Sequence, residues 1–438
     1  MKHLKGILRL HFWLFLLFAG AGTNTYAQTA LTEEEALRVD STISIGLLTC
    51  QPGQEAYSLY GHTAIHYVDR EKGIDVAVNY GIFDMSKSHF VLRFIFGLTD
   101  YLMGIQPYDY FCGAYAYERR GIVEQELNIP AEEKIRFAQA IEENYRPENR
   151  VYRYNIFYNN CTTKARDMIL GPMKAAYQRQ PNGPSFRELT HQYTKDHPWT
   201  ELGNDLLLGL KADQPTNVSE QQFLPFNLMD DFESAVVADT MKLVSATKTI
   251  VPMFDNPVEK EFPLSPTVCA LLVALVIVGI TIVEFMKRRR FWGFDFVLLL
   301  LIGFSGLILT AMIFSQHPTV NLNLQILLLN PLAIVCLWPV VRNERKGRSH
   351  WFWKAYALCL LLFFAGNLLQ CYAEGTNILA LSLLIHCIER IITQRNQNTP
   401  SNQNNQNTPS NQNNQNTPSN QNNPNTPSNQ NNPINRKS

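Results

Sequence analysis

Cys161 is the residue of this 438-residue chain whose sequence context is best suited to a nucleophile. It follows Asn159 and Asn160, and an asparagine is a good cap for a helix that begins at the cysteine. The N–H groups and the positive dipole end of a helix favour a thiolate and lower the pKa of such a cysteine. The same N–H groups are suited to binding the oxyanion of an acyl-transfer reaction.

A thiolate nucleophile needs a base, usually a histidine, and a polar side chain that orients this base. His62 lies in the string YGHTAIHY beside a glycine that would admit a substrate closely, and Asn79 lies in the next strand candidate, in VAVNYG. Across a hairpin, an asparagine can accept the ring N–H of a histidine and set its tautomer. His62 and Asn79 are therefore candidates for these two roles.

Other histidines compete for the role of base. His66 shares the face of His62 two residues further along the strand, and His191 and His197 lie in HQYTKDHPW. A lone cysteine or histidine in a globular domain is also more often a packed core residue than a catalytic one. From the residues alone, the choice stays open.

The cysteine count adds one constraint. Of the eight cysteines, five lie in or beside apolar segments towards the C-terminus, which leaves Cys50, Cys112 and Cys161 in the part that we expect to be exported. An odd count in an oxidising compartment leaves one thiol over, and a disulfide between Cys50 and Cys112 would leave Cys161 free. Neither a CxxC nor an HExxH pattern is present, so we expect no metal site and no cofactor.

The elements that would hold these residues are both strands and helices. Segments 58–68 and 74–83 predict the two strands of a hairpin, and the apolar spacing after Pro130 predicts a helix. We expect strands at 41–49 and 118–129, an extended segment at 151–158, a short helix or lid at 90–96 and 101–103, and helices at about 161–170, 185–193 and 205–210. This mixture predicts an α+β domain.

Charge and targeting signals indicate an exported protein. The 38 basic and 38 acidic residues cancel and form no basic block, which argues against nucleic acid as a partner. Basic residues, an apolar run and the site Thr25-Tyr26-Ala27 predict a signal peptide over residues 1–27. Residues 28–262 have mixed polarity and no long apolar run, so we expect them to form the exported domain.

Five apolar segments predict a membrane domain over residues 263–395, with the lipid bilayer as its partner: about 267–286, 294–314, 322–341, 353–373 and 377–393. Basic residues cluster after the first and third segments, which predicts a periplasmic exported domain on a chain of the inner membrane. Few ionisable residues lie in the segments apart from Glu284, Asp295 and the end of the fifth, which argues against transport. The Asn/Gln-rich repeats of 396–438 predict a disordered cytoplasmic tail.

A longer set of motifs resembles a known family. The strings YGHTAIHY, VNYGIF, PENRVYRYNIFYNNCTTKARD, SFRELTHQY and LGNDLLLG resemble the Lnb-type periplasmic domain of Bacteroidota, to which that family usually adds a five-helix membrane module. More distantly, a histidine strand that precedes an Asn-Cys at a helix start is similar to permuted papain-like thiol enzymes of the NlpC type. That resemblance implies Cys161 as nucleophile, His62 as base and Asn79 as orienting residue, a position where relatives often have histidine.

Together, these observations predict a permuted papain-like α+β domain followed by an all-α bundle of five transmembrane helices. The expected function is a membrane-anchored thiol hydrolase or acyltransferase acting on an amide or ester of a cell-envelope lipid, peptide or glycan. The aromatic stretch 90–110 favours a lipid or acylated substrate. The alternative is a non-catalytic binding or scaffold module of an envelope assembly or export system. The approach of His62 to Cys161 in the fold distinguishes the two hypotheses.

Overall fold

The computed structural model describes residues 31–83, 88–238, 240–255 and 262–397. The predicted signal peptide and residues 398–438 of the predicted tail lie outside these residues. The described part consists of an α+β domain followed by a helical region, which confirms the coarse division predicted from the sequence.

A seven-stranded antiparallel sheet organises the first domain. The strands of the structure are β1 (Ile43–Cys50), β2 (His62–Asp69), β3 (Ile74–Ile82), β4 (Asp100–Pro107), β5 (Ile122–Leu127), β6 (Val151–Arg153), β7 (Ala175–Ala176), β8 (Gly183–Ser185), β9 (Pro215–Thr216), β10 (Val236–Val237), β11 (Met241–Lys242) and β12 (Val244–Val251). The sheet has the order β12-β5-β1-β2-β3-β4-β6, so β2 and β3 are inner strands.

One helix of this domain is fixed directly on the two inner strands. The helices are α1 (Glu33–Thr42), α2 (Phe90–Ile95), α3 (Tyr108–Tyr117), α4 (Ala131–Tyr145), α5 (Cys161–Leu170), α6 (Phe186–Thr194), α7 (Pro198–Leu207), α8 (Val218–Gln221) and α9 (Pro225–Ser234). Helix α5 packs on β2 and β3 and shares a buried apolar cluster with α4 and α9. The start of α5 is therefore held close to the start of β2.

The local predictions hold best where one pattern dominates. The hairpin of β2 and β3 is confirmed, with its turn at residues 70–73. The segment 101–103, predicted as part of a short helix or lid, instead lies in β4, where Tyr101 and Met103 are buried and β3 supplies the hydrogen-bonding partner. The helix predicted at 205–210 is the end of α7, after which residues 210–213 form a 3-10 turn.

Three helices of the described residues are long and apolar enough to cross a membrane, or up to four if one bent pair is a single span. The helices of this region are α10 (Pro266–Lys287), α11 (Trp292–Met312), α12 (Leu332–Val335), α13 (Leu337–Arg345), α14 (Phe352–Gly366) and α15 (Thr376–Gln397). The five predicted segments correspond to α10, α11, the bent pair α12 and α13, α14 and α15; the third is bent by 70° and the fourth helix has only 15 residues. The 70° bend lies at Cys336, between α12 and α13, and in the turn before α12 the side chain of Asn330 accepts the N–H of Leu332.

Ionisable residues that are scattered in the sequence form one buried cluster in the membrane region. Arg390 of α15 contacts Glu284 of α10, Asp295 of α11 and its neighbour Glu389. Arg390 and Asp295 are fully buried. The pairing of each carboxylate with a cation reduces the cost of burying charge in this region and links three helices.

The two regions of the chain also share buried hydrogen bonds. The side-chain amide of Gln325 donates to the carbonyl of Asp205 at 2.7 Å, and that of Asn323 donates to the carbonyl of Leu206 at 2.9 Å. The side-chain amide of Gln370 donates to the carbonyl of Leu208 at 3.1 Å. Side chains of the membrane region therefore satisfy the open C-terminal carbonyls of α7. The helical region supports the first domain as well as anchoring it.

Candidate active site

Cys161 is the first residue of α5, as the sequence predicts. The Oδ1 atom of Asn160 accepts the N–H groups of Thr162 and Thr163, at 3.0 and 2.9 Å, and so caps the helix. The amide group of Asn160 in turn donates to the carbonyls of Ile156 and Phe223 at 2.9 and 2.8 Å. Asn160 is buried, so its four hydrogen bonds fix the backbone that carries the thiol.

The structure brings the three predicted side chains together. His62 begins β2, and its Nε2 lies 2.5 Å from Oδ1 of Asn79 on β3. Asn79 is paired with Ala64, so it is the diagonal neighbour of His62 on the same face of the sheet. Because the amide oxygen can only accept, Nε2 carries the proton and Nδ1 is left for the thiol of Cys161.

The thiol and the imidazole shift each other's ionisation. Burial raises the pKa of Cys161, but the charge of His62, a hydrogen bond to its ring and the backbone N–H of Thr63 together lower it to about 7. Burial lowers the pKa of His62, and the Cys161 thiolate and the hydrogen bonds to Cys161 and Asn79 raise it overall. Each group favours the charged form of the other, so the pair is stabilised as thiolate and imidazolium.

The competing histidines are bound elsewhere. His66 lies between the carboxylates of Glu124 and Asp75, at 2.6 and 2.9 Å, and stacks on Tyr108. It does not line the cavity that contains Cys161. His191 contacts Asp205 at 3.0 Å, and His197 is a buried residue before α7. Only His62 of the four meets Cys161.

The predicted disulfide is absent. All eight cysteines lie in the described residues and each is a free thiol. Cys50 is fully buried at the end of β1, and Cys112 is on α3 in the same apolar cluster, where burial raises the pKa of both thiols. The low pKa of Cys161 therefore does not depend on oxidation of the other two.

The expected oxyanion donors are fewer than the sequence suggested. The N–H groups of Thr162 and Thr163 are taken by the cap, and that of Lys164 bonds the carbonyl of Asn160. No hydrogen bond joins the N–H of Cys161 to any described residue, so this donor is not used by the cap. Residue types alone could not reveal this, because a good cap consumes the donors that it organises.

The thiol lies in a cavity of about 440 Å³, and nine of its 23 lining residues are tyrosine or phenylalanine. Six of the aromatic lining residues are Tyr57, Tyr60, Phe83, Phe94, Tyr101 and Tyr154. Gly81 approaches the nucleophile closely: a Cβ there would lie 3.5 Å from that of Cys161, and its φ of 91° disfavours any side chain. Gly81 lies in the string VNYGIF, but its contact with Cys161 depends on long-range packing.

A second, smaller pocket adjoins this cavity. It has a volume of about 100 Å³, is almost wholly apolar, and shares Tyr60 and Phe94 with the cavity. Leu207 of α7 and Met312 and Val320 of the helical region line its other side. The space beside the thiol therefore extends as an apolar pocket between the two regions of the chain.

One cluster of the described residues has the donor types of a metal site. Ligand atoms of His191, Glu201 and Asp205 lie within 4.8 Å of one another. However, Asp205 is already paired with the buried Arg187 at 2.6 Å, and Glu201 accepts a hydrogen bond from Thr194. The ion pair and hydrogen bonds account for this cluster without a cation.

Comparison with known proteins gives two matches to family models. The model described as Lnb N-terminal periplasmic domain matches residues 34–192, a range that contains His62, Asn79 and Cys161. The model described as Lnb transmembrane domain matches residues 257–398, which contain α10 to α15. No curated protein and no solved structure matches the chain.

Proposed function

We propose that this chain, which belongs to the Lnb family, is a membrane-anchored thiol enzyme that cleaves or transfers an acyl group from an amide or ester of a cell-envelope component. The observation that carries the proposal is the contact of the Cys161 thiol with His62, itself held by Asn79. The order of a histidine strand before a cysteine helix also supports a permuted papain-like relationship.

In the proposed first step, the thiolate of Cys161 attacks the carbonyl carbon, and the N–H of Cys161 stabilises the oxyanion. The carbon–sulfur bond forms, the carbon–oxygen or carbon–nitrogen bond breaks, and His62 gives its proton to the leaving group. In the second step, water or an acceptor amine or hydroxyl attacks the thioester while His62 takes its proton. The product leaves and the thiolate is regenerated.

The surroundings favour an acylated substrate. The apolar pocket beside the cavity offers hydrocarbon contacts and exposes almost no polar surface, which suits an acyl chain and not a glycan. The helical region holds the domain next to the bilayer, whose lipids carry acyl chains. We further propose that the helices lie in the inner membrane with the tail in the cytoplasm, because basic residues follow α10 and α13 but are missing after α11 and α14.

Hydrolysis of p-nitrophenyl esters by the full chain in detergent tests this proposal. Cys161→Ser is expected to abolish the cysteine-dependent release of p-nitrophenol, because a serine here lacks the lowered pKa of the thiol. Cys112→Ser is the matched control and is expected to retain the activity. Equal activity of the wild type and Cys161→Ser would refute the thiol mechanism and favour a binding module.

A further inference from the structure

Helix α2 connects the wall of the thiol cavity to the end of α11. The hydroxyl of Ser315 donates to the carbonyl of Ile95 at 2.8 Å, and the N–H of Gln316 donates to that of Phe96 at 3.0 Å. The ring of His317 donates to the carbonyl of Phe94 at 3.2 Å. These contacts fix α2 to the three residues 315–317, directly beyond α11.

The length of α11 indicates how deep α2 would lie relative to a bilayer. With 21 apolar-rich residues, α11 spans about 31 Å, which is the thickness of the hydrocarbon core of a bilayer. Ser315 lies only three residues beyond Met312, the end of that helix. Because α2 is bonded to this segment, a bilayer spanned by α11 would have α2 at its boundary between hydrocarbon and water, on the side of the exported domain.

Apolar side chains are exposed on both segments at this level. We define the α2–α11 surface as Leu92, Leu98, Ile313 and Phe314, which are 53 %, 39 %, 48 % and 77 % exposed. A single exposed leucine on a soluble surface needs no explanation, but apolar residues that continue from the end of a span extend its lipid-facing surface. Hydrocarbon, and not water, is the environment that this surface fits.

An aromatic ladder leads inwards from the same helix. The ring of Phe90 stacks on Phe83 at 5.7 Å, Phe83 on Tyr101 at 5.0 Å, and Tyr101 on Tyr154 at 4.0 Å. Phe83, Tyr101 and Tyr154 line the thiol cavity, while Phe94 and Ile95 of α2 line the adjoining apolar pocket. The helix at the membrane boundary is thus also a wall of the space beside Cys161.

We propose that the α2–α11 surface lies in the outer leaflet and contacts the acyl chains of bilayer lipids, and that a chain passes sideways beside α2 into the apolar pocket next to the thiol. The use of this route for a substrate rests on the proposed acyl-transfer function. The lipid contact of Leu92 does not, since it needs only the position of α2.

A photoreactive diazirine amino acid at selected positions of the full chain, reconstituted in phosphatidylcholine vesicles, tests the contact. Position 92 is compared with 275, a 59 % exposed position in α10, and with 37, a 65 % exposed position on α1, which packs on β1 and α4. After irradiation, mass spectrometry is expected to find lipid adducts at 92 and 275 and none at 37. A yield of lipid adduct at position 92 that is as low as the yield at position 37 would overturn the proposal.

The route is tested by the same probe at position 207, inside the apolar pocket. If the yield of lipid adduct at position 207 falls at least fivefold in the Leu92→Glu variant, entry of the chain beside α2 is supported. A carboxylate at position 92 must keep its hydration and therefore disfavours contact with an acyl chain. Adducts at 92 but none at 207 would overturn the route. All positions are repeated in the Cys161→Ala variant, in which the lipid adduct at position 92 must persist. If the esterase test fails while this adduct is present, the proposed enzymatic function is refuted and the lipid contact of α2 is not.

Discussion

Replacing His62 with alanine tests whether the imidazole sets the charge of the Cys161 thiol. In the wild type, the pKa of Cys161 is lowered to about 7, although burial acts in the opposite direction. Without the imidazole, the opposing effect of burial remains, so the pKa should rise at least to the ordinary thiol value of about 8.5. The thiolate share at pH 7 then falls from about one half to about 3 %, roughly fifteenfold.

The assay is alkylation of the full chain by iodoacetamide against pH, with the modified peptide identified by mass spectrometry. The midpoint of the pH profile is the readout, because a thiolate of higher pKa is also more nucleophilic and partly offsets the lower thiolate share in the rate. In the wild type, labelling of Cys161 should rise through a midpoint near 7. In His62→Ala, the midpoint should move up by at least about 1.5 pH units.

The control is His66→Gln on the same strand. His66 is bonded to Glu124 and Asp75 and lies outside the thiol cavity, so the midpoint of Cys161 should not move. An unchanged midpoint in His62→Ala, or an equal shift in both variants, would refute the direct thiol–imidazole interaction.

Three further predictions concern the residues that orient the pair and bound its cavity. Asn79→Ala removes the acceptor of the His62 ring, so kcat for a p-nitrophenyl ester should fall at least about tenfold while the fold is retained by circular dichroism; unchanged kcat would exclude an orienting role. Gly81→Ala and Gly73→Ala both place a side chain at positive φ, so each should lower the free energy of unfolding by about 1–2 kcal/mol. Only Gly81→Ala should slow alkylation of Cys161, because the added methyl group lies against this residue, whereas the space at Gly73 is open. Leu207→Trp fills the apolar pocket, so hydrolysis of p-nitrophenyl dodecanoate should fall while that of the acetate persists; parallel losses would show that the pocket holds no acyl chain.

The helix start, the hairpin and the two domains were predictable because each depends on neighbours in the sequence. Asparagine before Cys161 makes a cap, and alternating residues on either side of a turn make a hairpin that brings Asn79 to the strand of His62. The approach of Cys161 to this hairpin required a further, non-local fact. It depends on the buried cluster that α5 shares with α4 and α9.

The features that the sequence could not predict arise where distant segments satisfy one another. The third membrane segment is apolar enough for a span, yet Gln370 accepts the N–H of Leu324 and so allows a non-helical backbone. The apolar pocket forms only where Leu207 of α7 meets Met312 of α11, more than a hundred residues later. The spacing of charges in the sequence does not reveal that Arg390 forms ion pairs with Glu284 of α10 and Asp295 of α11.

Detection of an acyl group on Cys161 tests most directly whether this thiol forms a thioester. The full chain is incubated with vesicles of a diacyl phospholipid, quenched in acid, digested and analysed by mass spectrometry. We expect the mass of one acyl chain on the Cys161 peptide, removable by neutral hydroxylamine as expected for a thioester, and no such mass on the Cys112 peptide. Full recovery of unmodified Cys161 with this donor and with p-nitrophenyl dodecanoate, in a chain whose thiol alkylates readily, would contradict a nucleophilic role of Cys161.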